Sequence, residues 1–440
     1  MRNKLGLWTA TSLVVGNMIG AGIFLLPATT ASFGGVSLLG WLLSAIGALF
    51  IAHMFSETSK LLPNVDGGPY SYTRHAFGDF PGFLMAWGYW ISIWCTNAAL
   101  TIAFISALST FFPSLSTNPV LAVLTGLSAI WLLTWVNNRG IKSTGGVQLV
   151  TTILKLTPLV FVAVVGLFFI RWDNFIPFNR SGGSTFQAIT SASSLTLFAF
   201  LGVECATIPA CSIDNPEKNI PRATMLGTLV TTLVYIFGAM SIMGILSASQ
   251  LQHTVTPYSD AAAIMVGPRA RYWVSAGVAV AAFGALNGWT LMQGQIVRSI
   301  SRDKLFPPFF EKENKRGMPT RGLILSSVLV SVIMVMNYTK GLVEQFQFMT
   351  LMATMTSVLP FLFVSAGYVV TVMEKRPPAN VRGWLRILVP ASIAFTFSLF
   401  AILGAGKDIV FWGFALLLIG TPFYIWNYWR RRKPGTLREL

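Results

Sequence analysis

The chain has 440 residues, of which 54% are hydrophobic and 10% charged; its net charge is +16 and its mean hydropathy +0.65. A soluble domain carries roughly 25% charged residues, so this composition excludes a water-soluble protein and leaves an integral membrane protein. The excess of positive charge could suggest nucleic acid, but its distribution along the chain argues for a different origin.

Apolar stretches occupy 8–31, 36–60, 81–111, 119–138, 144–170, 184–211, 222–247, 272–302, 320–338, 342–372, 384–404 and 408–430. Twelve spans predict an all-α membrane protein. The first lacks a small-residue cleavage site and is read as a retained helix, not a signal peptide. It carries Gly16-Asn17-Met18-Ile19-Gly20-Ala21-Gly22-Ile23-Phe24, and the sixth carries Phe198-Ala199-Phe200-Leu201-Gly202-Val203-Glu204-Cys205-Ala206. Glycine weakens a helix and lets other groups approach its backbone. Unpaired peptide groups cost several kcal/mol in hydrocarbon. Broken helices five spans apart therefore point to a secondary transporter with a midplane substrate site.

Twelve spans place both termini on one side of the membrane. With the amino terminus cytoplasmic, that side holds 24 of the 31 Lys and Arg, against six outside (Arg171, Arg180, Arg269, Arg271, Lys340 and Lys407) and Lys155 within a span. This asymmetry follows the positive-inside rule and accounts for the charge without nucleic acid.

Between the spans, Asp66-Gly67-Gly68-Pro69-Tyr70-Ser71-Tyr72 reads as a turn leading into an amphipathic interfacial stretch, and Leu305-Phe306-Pro307-Pro308 ends the eighth span. Trp426 and Trp429, followed by Arg430, Arg431 and Arg432, read as an interfacial anchor. The connections 59–80, 171–183, 248–271 and 302–321 are too short for a soluble domain. The whole chain, 1–440, is therefore read as one membrane domain. Five spans per half invert the second half, giving a 5+5 repeat over about 8–170 and 184–372, with two peripheral helices over 384–430.

Cys95, Cys205 and Cys211 lie in or beside apolar spans and imply no disulfide framework. His53, His75 and His253 lack metal-ligand spacing. The sequence has no phosphate-binding loop, GxSxG or HExxH motif, so neither a metal nor a cofactor is expected.

The two glycine segments, together with Leu25-Leu26-Pro27, Asn215-Pro216-Glu217-Lys218-Asn219-Ile220-Pro221-Arg222-Ala223, Gly288-Trp289-Thr290-Leu291 and Leu305-Phe306-Pro307-Pro308, resemble the amino acid–polyamine–organocation superfamily. Within it, the chain is similar to the bacterial arginine/agmatine and lysine/cadaverine antiporters. The resemblance implies the bacterial inner membrane, a homodimer and a set of site residues. Amides at Ala21 and Gly22 would meet the substrate carboxylate, an anion at a helix amino terminus. Carbonyls of Met18, Phe198 and Leu201 would meet its ammonium. Trp289 would lie along the substrate side chain, and Asn97, with backbone at Ser92 and Ile93, would line the distal pocket. Tyr89, Glu204 and Phe361 would form an outer gate.

The chain departs from the arginine antiporter pattern at Phe198 (Trp there), Ala21 (Ser), Ala353 (Ser) and Phe361 (Tyr). Arginine or agmatine specificity does not carry over. Lys155 stands where that antiporter has alanine and resembles the fifth-span lysine of proton-coupled and exchange-type permeases.

A mid-span lysine costs roughly 2.5–3.5 kcal/mol on translocon scales. Lys155 is therefore either a fixed cation tying the fifth span to the broken first one, or a proton carrier whose pKa is lowered by burial. Glu204 is a gate or proton-linked group, or a carboxylate closing exposed amides of the sixth span. Asn97 lines the pocket or bridges helices. Trp289 lines the pocket or faces lipid. A channel needs rings of carbonyls or charges, and an enzyme needs a catalytic cluster; neither is visible. The expected activity is secondary-active transport of an amino acid by alternating access, as an exchanger or proton-coupled permease, with a cationic or neutral substrate. An amino acid sensor or a lysine/cadaverine-type antiporter is the alternative.

Overall fold

A computed structural model describes residues 4–20, 22–139 and 156–431. Among them the structure is helical, and the only β pairing is an isolated bridge between Leu5 and Ile213. The first span forms α1 (Leu7–Met18) and, after a break, α2 (Gly22–Thr30). There follow α3 (Ser37–Leu61), α4 (Pro69–Phe77), α5 (Asp79–Leu108), the single turn α6 (Ser114–Thr117) and α7 (Pro119–Asn138). The described end of the fifth span is α8 (Leu156–Phe169).

The sixth span begins as α9 (Thr185–Thr196), tightens into a 3₁₀ turn at Leu197–Phe200, and runs on as irregular turns over 201–209. The remaining helices are α10 (Pro216–Ile245), α11 (Ala248–His253), α12 (Pro257–Val266), α13 (Ala270–Arg302), α14 (Thr320–Met336), α15 (Leu342–Lys375), α16 (Val381–Gly404) and α17 (Lys407–Arg431). Eight helical stretches among the described residues are long and apolar enough to cross a membrane, and α8 and α14 are shorter apolar helices.

Two boundaries differ from the hydropathy reading. α10 starts six residues before its apolar span, because Pro216 takes the first helical position and Glu217, Lys218 and Asn219 form a polar first turn. Hydropathy marks the lipid-facing part of a helix, not its capped end. The 248–271 connection is not a plain loop but contains α11 and α12. Ser247 and Gln250 form a reciprocal capping box at the start of α11. Neither helix is long enough to register as a span.

Packing divides the helices into two groups. In one, α3 packs on α9 and α10, and α1 packs on α10. In the other, α5 packs on α13 and α14, and α7 packs on the same two. Hydrogen bonds supply adhesion that lipid-like interiors lack: Ser44 Oγ reaches Ser193 O and Thr196 Oγ1, both at 2.8 Å, joining α3 to α9. α16 and α17 flank this core, with Trp426 beneath the Arg430 guanidinium (5.0 Å) at the end of α17. Glu57 pairs with Lys60 at 2.5 Å near the end of α3, as an interfacial residue does.

Candidate functional site

The two breaks meet. α1 stops at Met18, where Ile19 leaves helical geometry (φ −78°, ψ 75°). In the sixth span, Leu201 is extended (ψ 133°) and Gly202 takes φ +109°, a conformation that L side chains rarely adopt. A methyl group at Gly202 would lie 3.1 Å from both Asn17 C and Met18 N, so the two interrupted backbones are in direct contact. On its far side, the first break is close-packed too. A Cβ on Gly20 would lie 2.8 Å from Leu100 Cδ2 of α5 and 3.2 Å from Ala285 Cβ of α13.

The aromatic residues close around this junction. Trp289 is buried on α13, and its indole Nε1 donates to Asn17 O at 3.4 Å, against the first break and away from lipid. Phe198 packs edge-on to Phe346 of α15 (6.0 Å, 86°). Ile93, Ser92 and Ala353 are buried, with the Ser92 hydroxyl donating to its own helix at Tyr89 O (2.7 Å). Every described side chain expected at the site is at most 5% exposed. Ala21 and Lys155 lie outside the described residues, and Gly22 is the first residue of α2.

Of the three carbonyls expected to meet an ammonium group, two have partners within the protein. Met18 O accepts from Gly20 N–H (2.8 Å) and from the Tyr235 hydroxyl of α10 (2.6 Å). Phe198 O accepts from Leu201 N–H (3.1 Å). Leu201 O accepts no hydrogen bond among the described residues. Tyr235 was not visible as a site residue in the sequence, because it carries no motif and contacts Met18 from 217 positions away.

Glu204 is fully buried and doubly held. Tyr89 Oη donates to one carboxylate oxygen at 2.7 Å, and Gly202 N–H donates to the other at 3.2 Å. The carboxylate thus ties the sixth-span break to α5. Phe361 is placed by a separate contact, edge-on to Phe55 of α3 (5.4 Å, 88°), which lies 6.4 Å from Tyr72 of α4. Thr207, one turn past Glu204, abuts Gly68, 2.6 Å from where a Cβ would stand. Tyr89, Glu204 and Phe361 lie between the breaks and the α3–α4 connection. Leu5 and Ile213 reinforce the same end through Leu5 N–H to Ser212 O and Asp214 N–H to Leu5 O, both 2.9 Å.

Asn97 is also buried. Its Nδ2 donates to Gln293 Oε1 (2.8 Å), and Gln293 Nε2 donates to Ser327 Oγ (2.7 Å) on α14. Gln293 was missed in the sequence. Its signal was a polar residue mid-span, four positions after Trp289 and therefore on the same helical face.

Comparison with known proteins shows the family. A family model described as amino acid permease matches residues 5–425. The cadaverine/lysine antiporter of Escherichia coli is 31% identical, covering 96% of this chain and 94% of its own length. The arginine/ornithine antiporter of Pseudomonas aeruginosa is 30% identical (92% and 86%), and a putrescine transporter of Haemophilus influenzae is 28% identical (96% of each). Among solved structures, MhsT in complex with L-phenylalanine shares the fold, with a TM-score of 0.63 at 15% identity, covering 92% of this chain and 100% of that one. The chain belongs to the amino acid permease family.

Proposed function

We propose that this protein is a secondary-active exchanger of basic amino acids or the corresponding amines in the bacterial inner membrane. It works by alternating access through twelve spanning helices in a 5+5 inverted arrangement, with both termini cytoplasmic. The carrying observation is the contact of Gly202 with the Asn17–Met18 peptide, with Trp289 packed against the same carbonyl segment. Two helix breaks in contact at a buried junction supply backbone dipoles of both signs for a zwitterion.

Three further observations support the reading. The helix pairs that an inverted repeat would relate, α3 with α10, α5 with α13 and α7 with α14, pack on each other. The relatives named above carry lysine, cadaverine, arginine, ornithine or putrescine in their names. The doubly held Glu204 joins the sixth-span break to Tyr89 towards the α3–α4 connection, which is the cytoplasmic end on this orientation, so in this reading it serves as an inner closure in place of the outer gate expected. In this reading Gly22 and Ala21 hold the substrate carboxylate, and Leu201 O is the carbonyl left for its ammonium. Phe198, Trp289, Ile93, Ser92 and Ala353 wall the side-chain pocket. Lys155 stabilises the broken first span or carries a proton. The protein works as a homodimer in this reading.

The test is counterflow in proteoliposomes loaded with each of twenty amino acids, agmatine, cadaverine and putrescine, at two pH values. Exchange of a basic amino acid or amine supports the proposal. Absence of counterflow with every compound sinks it.

A further inference from the structure

Gln293 is unassigned in the reading above, yet it holds the one side chain expected at the distal end of the pocket. Ile93, Asn97 and Leu100 form a stripe on one face of α5, and Leu100 reaches the break at Gly20. Trp289 and Gln293 form the matching stripe on α13, with Trp289 bonded to the same break. The Asn97–Gln293 pair therefore stands about one turn from the junction.

The chemistry of the contacts settles which way each amide faces. Leu323 O is a main-chain carbonyl and can only accept. Ser327 Oγ donates to it (3.0 Å), and so does Gln293 Nε2 (3.3 Å). The acceptor-only Leu323 carbonyl fixes the Gln293 NH₂ on this side, and Ser327 Oγ, which also lies 2.7 Å from Thr134 Oγ1, accepts from Gln293 Nε2 at 2.7 Å. A flipped Gln293 would press its oxygen against the Leu323 carbonyl. Gln293 Oε1 must therefore face Asn97, and Asn97 must answer with its NH₂ (2.8 Å). That leaves Asn97 Oδ1, which is buried and has no hydrogen-bond partner among the described residues. A buried acceptor left empty is costly and calls for a donor.

We infer that Gln293 is a specificity-positioning residue: anchored on Leu323 and Ser327, it turns the oxygen of Asn97 to the pocket as an acceptor, selecting substrates whose distal end carries N–H donors. The selected chemistry is an ammonium or guanidinium at the end of an aliphatic chain, against an apolar isostere without donors. The inference rests on the transport reading proposed above and narrows its substrate class. A site built to receive a donor rejects the analogue lacking it far more strongly than an apolar pocket can.

The test measures binding to the purified full-length protein. Lysine, ornithine, arginine, agmatine, cadaverine and putrescine are each compared with norleucine, the apolar isostere of lysine. Wild type should favour its best cationic ligand over norleucine by at least about tenfold. Gln293→Ala should reduce that preference at least about tenfold, and Asn97→Ala should do the same. The double variant should lose no more than Asn97→Ala alone, because positioning acts only through its target. Gln293→Met, which keeps the length without the amide, repeats the measurement should the alanine variant fold poorly.

An unchanged preference in both Gln293 variants, or losses that add in the double variant, overturns the inference and marks Gln293 as structural. A wild type that binds these compounds but favours norleucine also overturns it while the transport reading survives. A wild type that binds none overturns both.

Discussion

Gly202 rests on the peptide that joins Asn17 to Met18. A Cβ at this position would stand 3.1 Å from two backbone atoms of the first break, and the φ of +109° disfavours any side chain. Neither neighbour is a flexible side chain that could yield. Gly202→Ala is expected to cost about 1–3 kcal/mol in strain and to reduce transport strongly. Thermal unfolding in detergent and counterflow rates in proteoliposomes check both effects; a variant indistinguishable from wild type in each would show that the breaks do not need this close approach.

Tyr89 donates to a carboxylate with no exposure to solvent. Tyr89→Phe leaves that Glu204 oxygen without its hydroxyl partner while keeping the ring, and a buried acceptor stripped of its donor costs about 1–3 kcal/mol. The expected result is a destabilised inner closure, read as a lower melting temperature and altered exchange. Pairing it with Glu204→Gln in a double-mutant cycle should give a double-variant loss clearly smaller than the sum of the two single losses. Simple additivity would separate the two residues.

Trp289 is buried against Asn17 O. Trp289→Ala is expected to weaken substrate affinity at least tenfold, about 1.4 kcal/mol. Equilibrium binding of the best ligand from the counterflow panel measures this directly. Unchanged affinity would remove Trp289 from the pocket wall.

Lys155 lies in a long apolar stretch, with Leu154 and Leu156 as neighbours. Lys155→Ala is expected to abolish or uncouple exchange without lowering the amount of protein in the membrane. Uptake at the wild-type rate, with wild-type pH dependence, would deny it any coupling role.

Much of the architecture could be read before the fold was known. The apolar span at 119–138 coincides with α7 (Pro119–Asn138), where Asn118 caps the amino terminus and Pro119 takes the first helical position. The glycine segments mark the breaks in the first and sixth spans correctly, because Gly20 and Gly202 express their effect within one turn of chain. α11 and α12 went unread for the opposite reason: short helices outside the bilayer have no long apolar run to reveal them.

Bilayer crossing, the positions of the breaks and the uneven charge were determined by the sequence alone, since each arises from transfer energy or backbone freedom of neighbouring residues. Only the tertiary structure decided the partners. It gave the Met18 carbonyl to Tyr235, set the Asn97 amide on Gln293 across 196 positions, and placed the Glu204 closure towards the α3–α4 end. A hydrogen bond between remote segments needs both groups at one point in space, and no local pattern of residues encodes that meeting.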